Sequence, residues 1–523
     1  MSLYEEISVL NRVAIGDIIR RTARRNPDKL AIIDGDYRFT YSQFDQLTNQ
    51  FAHYLQSLGF EKGDAVASIA INSSAHLIAV FGIQKAGMIW VPINPGLTVD
   101  EQLYILEETN AQLIVADLPI VKPNLERLSD FPIIYTANFG QNQFKTVLDV
   151  IKHQPSTEIE VDISDRDIAQ IMFTSGTTAK PKGVMISHLS VYMASLSNII
   201  ETRYYEDDVA SILMPMFHCA QHTFIVSLFN IGSTGVIFRE FDPIQFMETV
   251  EKEKVSFVFL LPMMYRAFIH HPEREKYDLS SLKTCVYAMA PMDRPTLEKG
   301  IKELGFDFML GSGQTEMYPG TVFFKPEDQL SKVGPYWGNT AILNDTVIMD
   351  DDGNILPQGE IGEICHRGPN VMIGYLNNEE ATKEARKYDW HHTGDLGYMD
   401  EDGLLVFVDR KKDMIKTGGE NVASIRIESI LLAHEKIANV AVVGLPHEKW
   451  IEAVTAFVQL KPGVEATEDE IIHYCKEHMN KYEIPKAISF MEALPLTTTG
   501  KVKKHILREQ YKNLFDETPT SSN

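Results

Sequence analysis

Apolar positions in the first third of the chain alternate between two spacings. Residues 15–23 carry hydrophobic side chains at helical intervals, Ala31, Ile32 and Ile33 make a short apolar run, and residues 41–58 return to the helical period. Residues 65–71 then read as a strand and 74–85 as a helix closed by Gly87. Ile89, Trp90, Val91 and Pro92 form a further strand. Helices alternating with short strands predict an α/β fold with largely parallel sheet, because parallel neighbours need a crossover and a helix supplies it. A polar stretch, 153–165, separates this region from a strand at 168–173, and Phe257 to Leu261 reads as a buried strand ending near Pro262.

From Val333 the texture changes to short strands and glycine turns, as in Asp351-Asp352-Gly353, Pro357-Gln358-Gly359-Glu360 and Asp402-Gly403. That pattern predicts a β-barrel or antiparallel subdomain. Beyond Asp409-Arg410-Lys411-Lys412-Asp413 lies a compact α+β piece. It holds a helix at 425–434, strands at 440–443 and 453–460, a helix at 468–479 and a basic tail near Lys501. No internal repeat is visible, and the polar residues 518–523 are expected to fray. The division drawn is a large domain, 1–410, and a small carboxy-terminal domain, 411–523.

Length and composition agree with this division. At roughly 100–200 residues per domain, a 523-residue chain needs more than one core. Hydrophobic residues make up 44% and charged residues 23%, which excludes collagen-like, disordered and coiled-coil classes for the bulk of the chain. The 72 acidic residues outnumber the 49 basic ones, and of the net −23 all but one unit falls in residues 1–410. Such a balance argues against a nucleic-acid partner. It also means that an anionic substrate must be met by local cations or backbone donors. Cys219, Cys285, Cys365 and Cys475 are far apart with no Cys-x-x-Cys pair, which suits a reducing compartment and buried thiols. The first residues place acids before arginines, the reverse of a secretory leader. No apolar run approaches the ~18–20 residues of a membrane helix. A cytoplasmic protein without a membrane span is expected.

The strongest local chemical signal is FTSGTTAKPKGV, from Phe173 to Val184, directly after a strand. Thr174, Ser175, Thr177 and Thr178 supply hydroxyls, Gly176 allows close backbone approach, and Lys180 and Lys182 bring positive charge. A loop of this kind can wrap phosphates with backbone N–H groups. It is not a Walker loop, since Gly-x4-Gly-Lys-Ser/Thr occurs nowhere in the chain. A flexible Ser/Thr/Gly connection is the plainer alternative, and the dense hydroxyls and the lysines flanking Pro181 weigh against it.

With six further motifs in order, the chain resembles the adenylate-forming superfamily of acyl-CoA synthetases, aryl-CoA ligases, luciferases and adenylation domains. The motifs are LMPMFH (213–218), LGSGQTE (310–316), GEIGEI (359–364), WHHTGD ending at Asp395, DRKKDMIK with GGEN (409–421), and PLTTTGKVKK (495–504). The resemblance implies a large domain of two α/β sheets and a β-barrel, followed by a small mobile lid. It also implies two steps. A carboxylate attacks the α-phosphate of Mg-ATP to give an acyl-adenylate and pyrophosphate, and a thiol, usually of CoA, then displaces AMP.

Roles follow by position. Thr174, Ser175, Gly176, Thr177, Thr178 and Lys182 would hold phosphates, and Ala290, Pro291, Ser312, Gly313, Gln314 and Thr315 would contact the nucleotide. Glu316, with Thr174, would bind Mg²⁺, a hard cation suited to oxygen donors. Asp395 and Arg410 would hold the ribose, and His218 would stand between acyl pocket and nucleotide. Lys501 would bridge carboxylate and α-phosphate, Lys412 would be the hinge, and Lys416, Gly418 and Gly419 would line the pantetheine tunnel. The stretch 311–313 is placed on the acyl-pocket wall. His218 and His222 are spaced for a metal pair, but no third ligand accompanies them and core packing is the favoured reading. A G-x-S-x-G elbow is absent, which removes the hydrolase alternative.

Several positions depart from the family pattern. Ala179 stands for a usual Gly, Met289 lies in the adenine segment, Ser312 replaces a stacking Tyr, Arg426 replaces a Glu and Glu483 a Lys. An apolar acid is favoured, because LMPMFHCAQHTFIV (213–226) offers no Arg or Lys to grip a second charge. GQTEMYP most resembles fatty-acyl-CoA synthetases, so medium or long fatty acids lead. Aryl acids, and loading of a carrier protein, are the alternatives. A homodimer is admitted as the assembly.

Overall fold

The computed structural model describes residues 10–137, 143–174, 181–288, 292–496 and 502–516. They fold as two compact units. One comprises residues 1–346 and 366–391, the other 347–365 and 392–523.

The larger unit is organised by two sheets. In one, strands Thr284–Tyr287 and Asp307–Ser312 run parallel to Phe257–Leu260, and Thr234–Ile237 runs parallel to Val209–Ile212 and to Leu30–Asp34. In the other, Ile168–Thr174, Ile89–Pro92, Ala65–Ile69, Leu113–Ala116 and Ile133–Tyr135 are parallel neighbours, with Lys182–Ser187 and Gly374–Tyr375 added antiparallel at one edge. Residues from both sheets share one core with helices Tyr41–Ser57, Ser74–Lys85, His188–Glu201 and Cys219–Ile231. Further cores cover the outer faces. All twelve residues of Ser74–Lys85 are buried, as a helix that is apolar on every side requires. Its one cation, Lys85, is paired with Asp45 at 2.6 Å and donates to Asn49 at 2.7 Å. A buried charge needs that company.

The periodicities of the first third therefore place the elements correctly, as helices Gly16–Arg25, Tyr41–Ser57 and Ser74–Lys85 and strands Leu30–Asp34, Ala65–Ile69 and Ile89–Pro92. Gly87 turns the chain after the helix at φ +70°. The expected strand at Phe257 stops at Leu260, and Pro262 begins the helix Pro262–Ile269. Proline is favoured there because its missing N–H is unneeded in the first turn.

In the smaller unit, the part of strand His391–Met399 from His392 onward pairs antiparallel with Leu405–Arg410. This unit also holds a sheet in which Ile437–His447 and Ile451–Leu460 form a long hairpin, with Ala487–Phe490 parallel to the second arm. Helices Ser424–Leu432 and Glu468–His478 pack on this sheet. The hairpin arm is longer than the predicted 440–443, because cross-strand pairing carries it through Gly444 and Pro446, opposite Val454 and Glu452. Two departures from the family pattern meet here. Arg426 Nε donates to Glu483 Oε1 at 2.7 Å, and Glu483 is buried while the arginine is half exposed. The two replacements thus pair with each other.

Two predictions follow from this packing. Arg426→Glu sets two carboxylates together and should destabilise the smaller unit by about 1–2 kcal/mol, whereas the double variant Arg426→Glu, Glu483→Lys should recover most of that loss in thermal melts. Equal melting of the single and double variants would contradict this pairing. Acid should act on the larger unit. Burial pushes His188 down to about 4, and His222 and His366 down to about 3. Depressed folded values mean that the stabilisation is full above the unfolded pKa of ~6.5 and is lost as pH falls below it, with a slope of up to about 4 kcal/mol per pH unit for three protons. The melting temperature should therefore fall between pH ~6.5 and ~5, before most carboxylates titrate. A flat profile in that window would contradict it.

Candidate active site

Parallel strands in the larger unit send their following connections to one edge of each sheet. Val209–Ile212 leads to His218, Thr284–Tyr287 leads to Ala288, and Asp307–Ser312 leads to Glu316. Clefts outside the carboxyl ends of such strands are where α/β folds hold ligands. A cavity of about 540 Å³ lies instead at the amino ends, lined by residues such as Asp208, Ser256, Thr284 and Asp307, and it contains none of the predicted site residues.

The described ends of the phosphate-loop motif lie on two paired strands. Ile168–Thr174 pairs antiparallel with Lys182–Ser187, and Thr174 stands directly opposite Lys182. Ser175, Gly176, Thr177 and Thr178 lie outside the described residues, as do Ala290, Pro291 and Lys501. The pairing thus brings the two described ends of the motif, a hydroxyl and an ammonium, to the same level.

Glu316 sits in a single 3-10 turn, Thr315–Met317, that follows Asp307–Ser312. Its Oε1 accepts the Tyr375 phenol at 3.0 Å, and its backbone carbonyl accepts the Met372 N–H at 2.7 Å. The Lys182 ammonium lies 4.9 Å from the centroid of the same Tyr375 ring. Lys182 and Glu316, far apart in sequence, therefore share one neighbour. Thr315 Oγ1 is 3.4 Å from Cys219 Sγ, which ties this turn to the start of helix Cys219–Ile231. His218 is the N-cap of that helix, its Nδ1 accepting the Ala220 N–H at 3.3 Å. Gln314 Oε1 is 3.4 Å from His391 Nε2, and the Ser312 carbonyl accepts the Thr321 N–H at 3.0 Å.

His222 belongs to the core. It is fully buried, bonded through Nδ1 to the Tyr318 hydroxyl, and packed against Trp90 with ring centroids 4.7 Å apart. Among the described residues no group of three His, Cys, Asp or Glu could hold a metal ion. Mg²⁺ still fits the turn, because that ion is commonly bound through one or two carboxylates together with substrate phosphates. Glu316 is half-buried and offers the oxygen such an ion takes.

Gly311 and Gly313 differ. A Cβ on Gly313 would lie 2.9 Å from the Gly320 nitrogen and 3.0 Å from Pro319, so backbone fills the direction in which its side chain would grow. A Cβ on Gly311 would meet only side chains, Phe323 at 3.4 Å and Val286 at 3.9 Å. If the stretch 311–313 walls the acyl pocket, Gly311 is the position with room to line it.

In the smaller unit, Asp395 and Arg410 are cross-strand partners, with Arg410 Nε 3.7 Å from Asp395 Oδ1. The adjoining Lys411 is held by Asp351 at 2.7 Å and Glu363 at 2.9 Å. Burial would raise the Glu363 pKa, but the Lys411 ammonium and the His392 and Gly394 hydrogen bonds outweigh it and hold the carboxyl below its ordinary value. Lys412 is exposed. Lys416 faces Asn421 across a short hairpin whose two turn residues, Gly418 and Gly419, have φ +62° and +90°. Positive φ at both central positions is the demand of a type I′ turn, and glycine meets it without strain. The segment before and after Lys501 is pinned by a Leu496–Val502 bridge and by Lys503 N–H donating to the Pro495 carbonyl at 2.7 Å. Helix Lys504–Gln510 then anchors through Lys504 to Glu428 at 2.8 Å and Arg508 to Asp413 at 2.6 Å.

Sequence reasoning gave no role to Tyr375 or Glu363. Glu363 lies inside the GEIGEI motif, a signal that was available. Tyr375 carries none, being 59 residues from Glu316 along the chain.

The spacing at the two glycines predicts different outcomes. Gly313→Ala must displace the 319–320 backbone and should lower pyrophosphate formation about tenfold or more with every acid, a cost on the order of 1–3 kcal/mol. Gly311→Leu should instead change the ranking of acids. A panel of acids scored on both variants checks this, and identical profiles would contradict it.

The family model described as AMP-binding enzyme matches residues 19–376, and the AMP-binding enzyme C-terminal domain matches 426–501. The chain is 33% identical to the long-chain-fatty-acid–CoA ligase FadD13 of Mycobacterium tuberculosis, over 95% of this chain and 98% of that protein. It is 31% identical to a feruloyl-CoA synthase of an Amycolatopsis species, over 94% and 98%. A solved structure of the O-succinylbenzoate coenzyme A synthetase MenE from Bacillus subtilis, in complex with ATP and magnesium ion, superposes with a TM-score of 0.84 at 27% identity, over 95% of this chain and 99% of that one. The chain belongs to the AMP-binding enzyme family, the adenylate-forming superfamily of acid–thiol ligases.

Proposed function

We propose that this protein is an AMP-forming acyl-CoA ligase that joins an apolar carboxylic acid to CoA at the expense of ATP. The observation that carries the proposal is the convergence of Lys182 and Glu316 on Tyr375 at the ends of the strands. A cation suited to phosphate and a carboxylate suited to a metal ion share that neighbour, which supports the reading.

In the first step a carboxylate oxygen of the acid attacks the α-phosphorus, the bond from that phosphorus to the β-bridging oxygen breaks, and pyrophosphate leaves. In the second, the CoA sulfur attacks the acyl carbon, its proton is lost, and AMP departs. A carboxylate is a poor acyl donor because oxide would have to leave, and adenylation replaces oxide with a phosphate monoester. Both steps bring anions together, so positioning and charge stabilisation dominate. Glu316 and Thr174 would hold Mg²⁺, which would supply charge neutralisation on the phosphates. Thr174, Ser175, Gly176, Thr177, Thr178 and Lys182 hold those phosphates. Ala290, Pro291, Ser312, Gly313, Gln314 and Thr315 contact the nucleotide, and Asp395 and Arg410 its ribose. His218 separates acid from nucleotide. Lys501 neutralises the meeting of carboxylate and α-phosphate, while Lys416, Gly418 and Gly419 flank the pantetheine arm. Residues 411–523 turn about Lys412 between the steps.

A fatty acid of medium or long chain is the leading substrate, supported by the absence of Arg and Lys from 213–226 and by the likeness to the Mycobacterium ligase. An aryl acid is the second reading, favoured by the likeness to feruloyl-CoA synthase. Among the described residues no helix is long and apolar enough to cross a membrane, and no disulfide joins the four buried cysteines. These features accord with a cytoplasmic enzyme, and a homodimer is the assembly this proposal admits.

The two steps should separate genetically. Lys501→Ala should lose acid-dependent pyrophosphate exchange by about 10²–10³-fold, yet still convert supplied acyl-adenylate and CoA to thioester. Gly419→Leu should show the reverse pattern. Equal loss of both half-reactions in both variants would contradict the alternation about Lys412.

A further inference from the structure

Lys182 and Glu316 carry opposite charges, and both are assigned above to the same triphosphate. In contact they would pair with each other, covering the carboxylate meant for the metal ion and the ammonium meant for phosphate. One residue touches both. Tyr375 donates its phenol to Glu316 Oε1 at 3.0 Å and turns its ring to the Lys182 ammonium, 4.9 Å from the centroid. The phenol satisfies the carboxylate without neutralising it, and the ring face attracts the ammonium without discharging it.

The backbone fixes the tyrosine in this position from both sides. Gly374–Tyr375 pairs with the strand that carries Lys182, Tyr375 standing opposite Val184, and the Leu376 N–H donates to the Gly183 carbonyl at 2.7 Å. Met372, three residues earlier, donates its N–H to the Glu316 carbonyl at 2.7 Å. The Tyr375 N–H is itself taken by Thr382 Oγ1 at 2.9 Å. One short segment thus binds the lysine strand and the glutamate turn together.

We propose that Tyr375 is a positioning residue that insulates Lys182 from Glu316 and orients the Glu316 carboxylate for the divalent cation of the nucleotide. The proposal rests on the assignment of Glu316 to the metal and Lys182 to the phosphates. Residues that orient a metal ligand typically alter metal affinity by about 10–100-fold when changed.

The test is Mn²⁺ titration by electron paramagnetic resonance on the full-length protein with α,β-methylene-ATP. It compares the parent with Tyr375→Phe, Tyr375→Leu and Glu316→Ala, and is paired with nucleotide binding in a chelator and with thermal melting. Tyr375→Phe keeps the ring and should weaken Mn²⁺ binding about tenfold. It should leave metal-free nucleotide affinity and melting unchanged, and the Mg²⁺ concentration for half-maximal adenylation should rise in step. Tyr375→Leu frees Lys182 to reach Glu316 and should also weaken metal-free nucleotide binding. Unchanged Mn²⁺ affinity in Tyr375→Phe, with a loss in Glu316→Ala, would overturn the role of Tyr375 and leave the metal assignment standing. Unchanged affinity in Glu316→Ala would overturn that assignment and this proposal with it. A lowered melting temperature with equal loss of metal and nucleotide binding in Tyr375→Phe would reduce the residue to a packing role and overturn the proposal as well.

Discussion

Val258 stands opposite Cys285, and Cys285 opposite Phe308, each pair in parallel register. Parallel pairing forces every crossover back across a sheet face and every following connection out of the same edge. The placement of the site follows from that constraint. His218, Ala288 and the turn at Glu316 come from separate stretches of chain, yet all follow the carboxyl ends of one sheet's strands. In the second sheet the antiparallel pair Ile168–Thr174 and Lys182–Ser187 does the same for the phosphate motif, because Ile168–Thr174 is itself a parallel neighbour of Ile89–Pro92. The buried helix Ser74–Lys85 and its neighbours share the core that both sheets contribute to.

A net charge of −23 makes polyanion binding a local problem. The structure divides its cations into those already committed and those facing a weaker partner. Lys85, Lys411, Lys504 and Arg508 are committed, each within 3 Å of a carboxylate oxygen. Lys182 rests against an aromatic face instead, and Arg410 approaches Asp395 at only 3.7 Å with its side chain nearly half exposed. Both of these belong to motifs assigned to the nucleotide. Weak engagement in the free protein leaves less to break when phosphate arrives, which is what preorganisation requires.

Element types and order were legible because the larger unit is built from long amphipathic or fully apolar segments whose period is unambiguous. The strand at Ile437–His447 was only partly legible, since Gly444 and Pro446 read as a break and only pairing with Ile451–Leu460 carries the strand through them. Arg426 and Glu483 read as two separate departures in sequence and are one ion pair in space. The motif alone sets Gly311 and Gly313 on the same footing, while the crowding of Gly313 by Pro319 and Gly320 depends on a turn that the motif does not encode. Tyr375 was invisible for the same reason. Its meaning lies in two contacts with residues distant in the chain, and no local spacing announces them.

The central claim is that a carboxylate oxygen becomes bonded to the α-phosphorus of ATP. Positional isotope transfer tests it most directly. The acid is supplied with ¹⁸O in its carboxylate, one turnover is completed with ATP and CoA, and AMP and pyrophosphate are weighed by mass spectrometry. Acyl-adenylate chemistry predicts one labelled oxygen in AMP, none in pyrophosphate, and a thioester that keeps the other label. Unlabelled AMP, or label in pyrophosphate or inorganic phosphate, would contradict it.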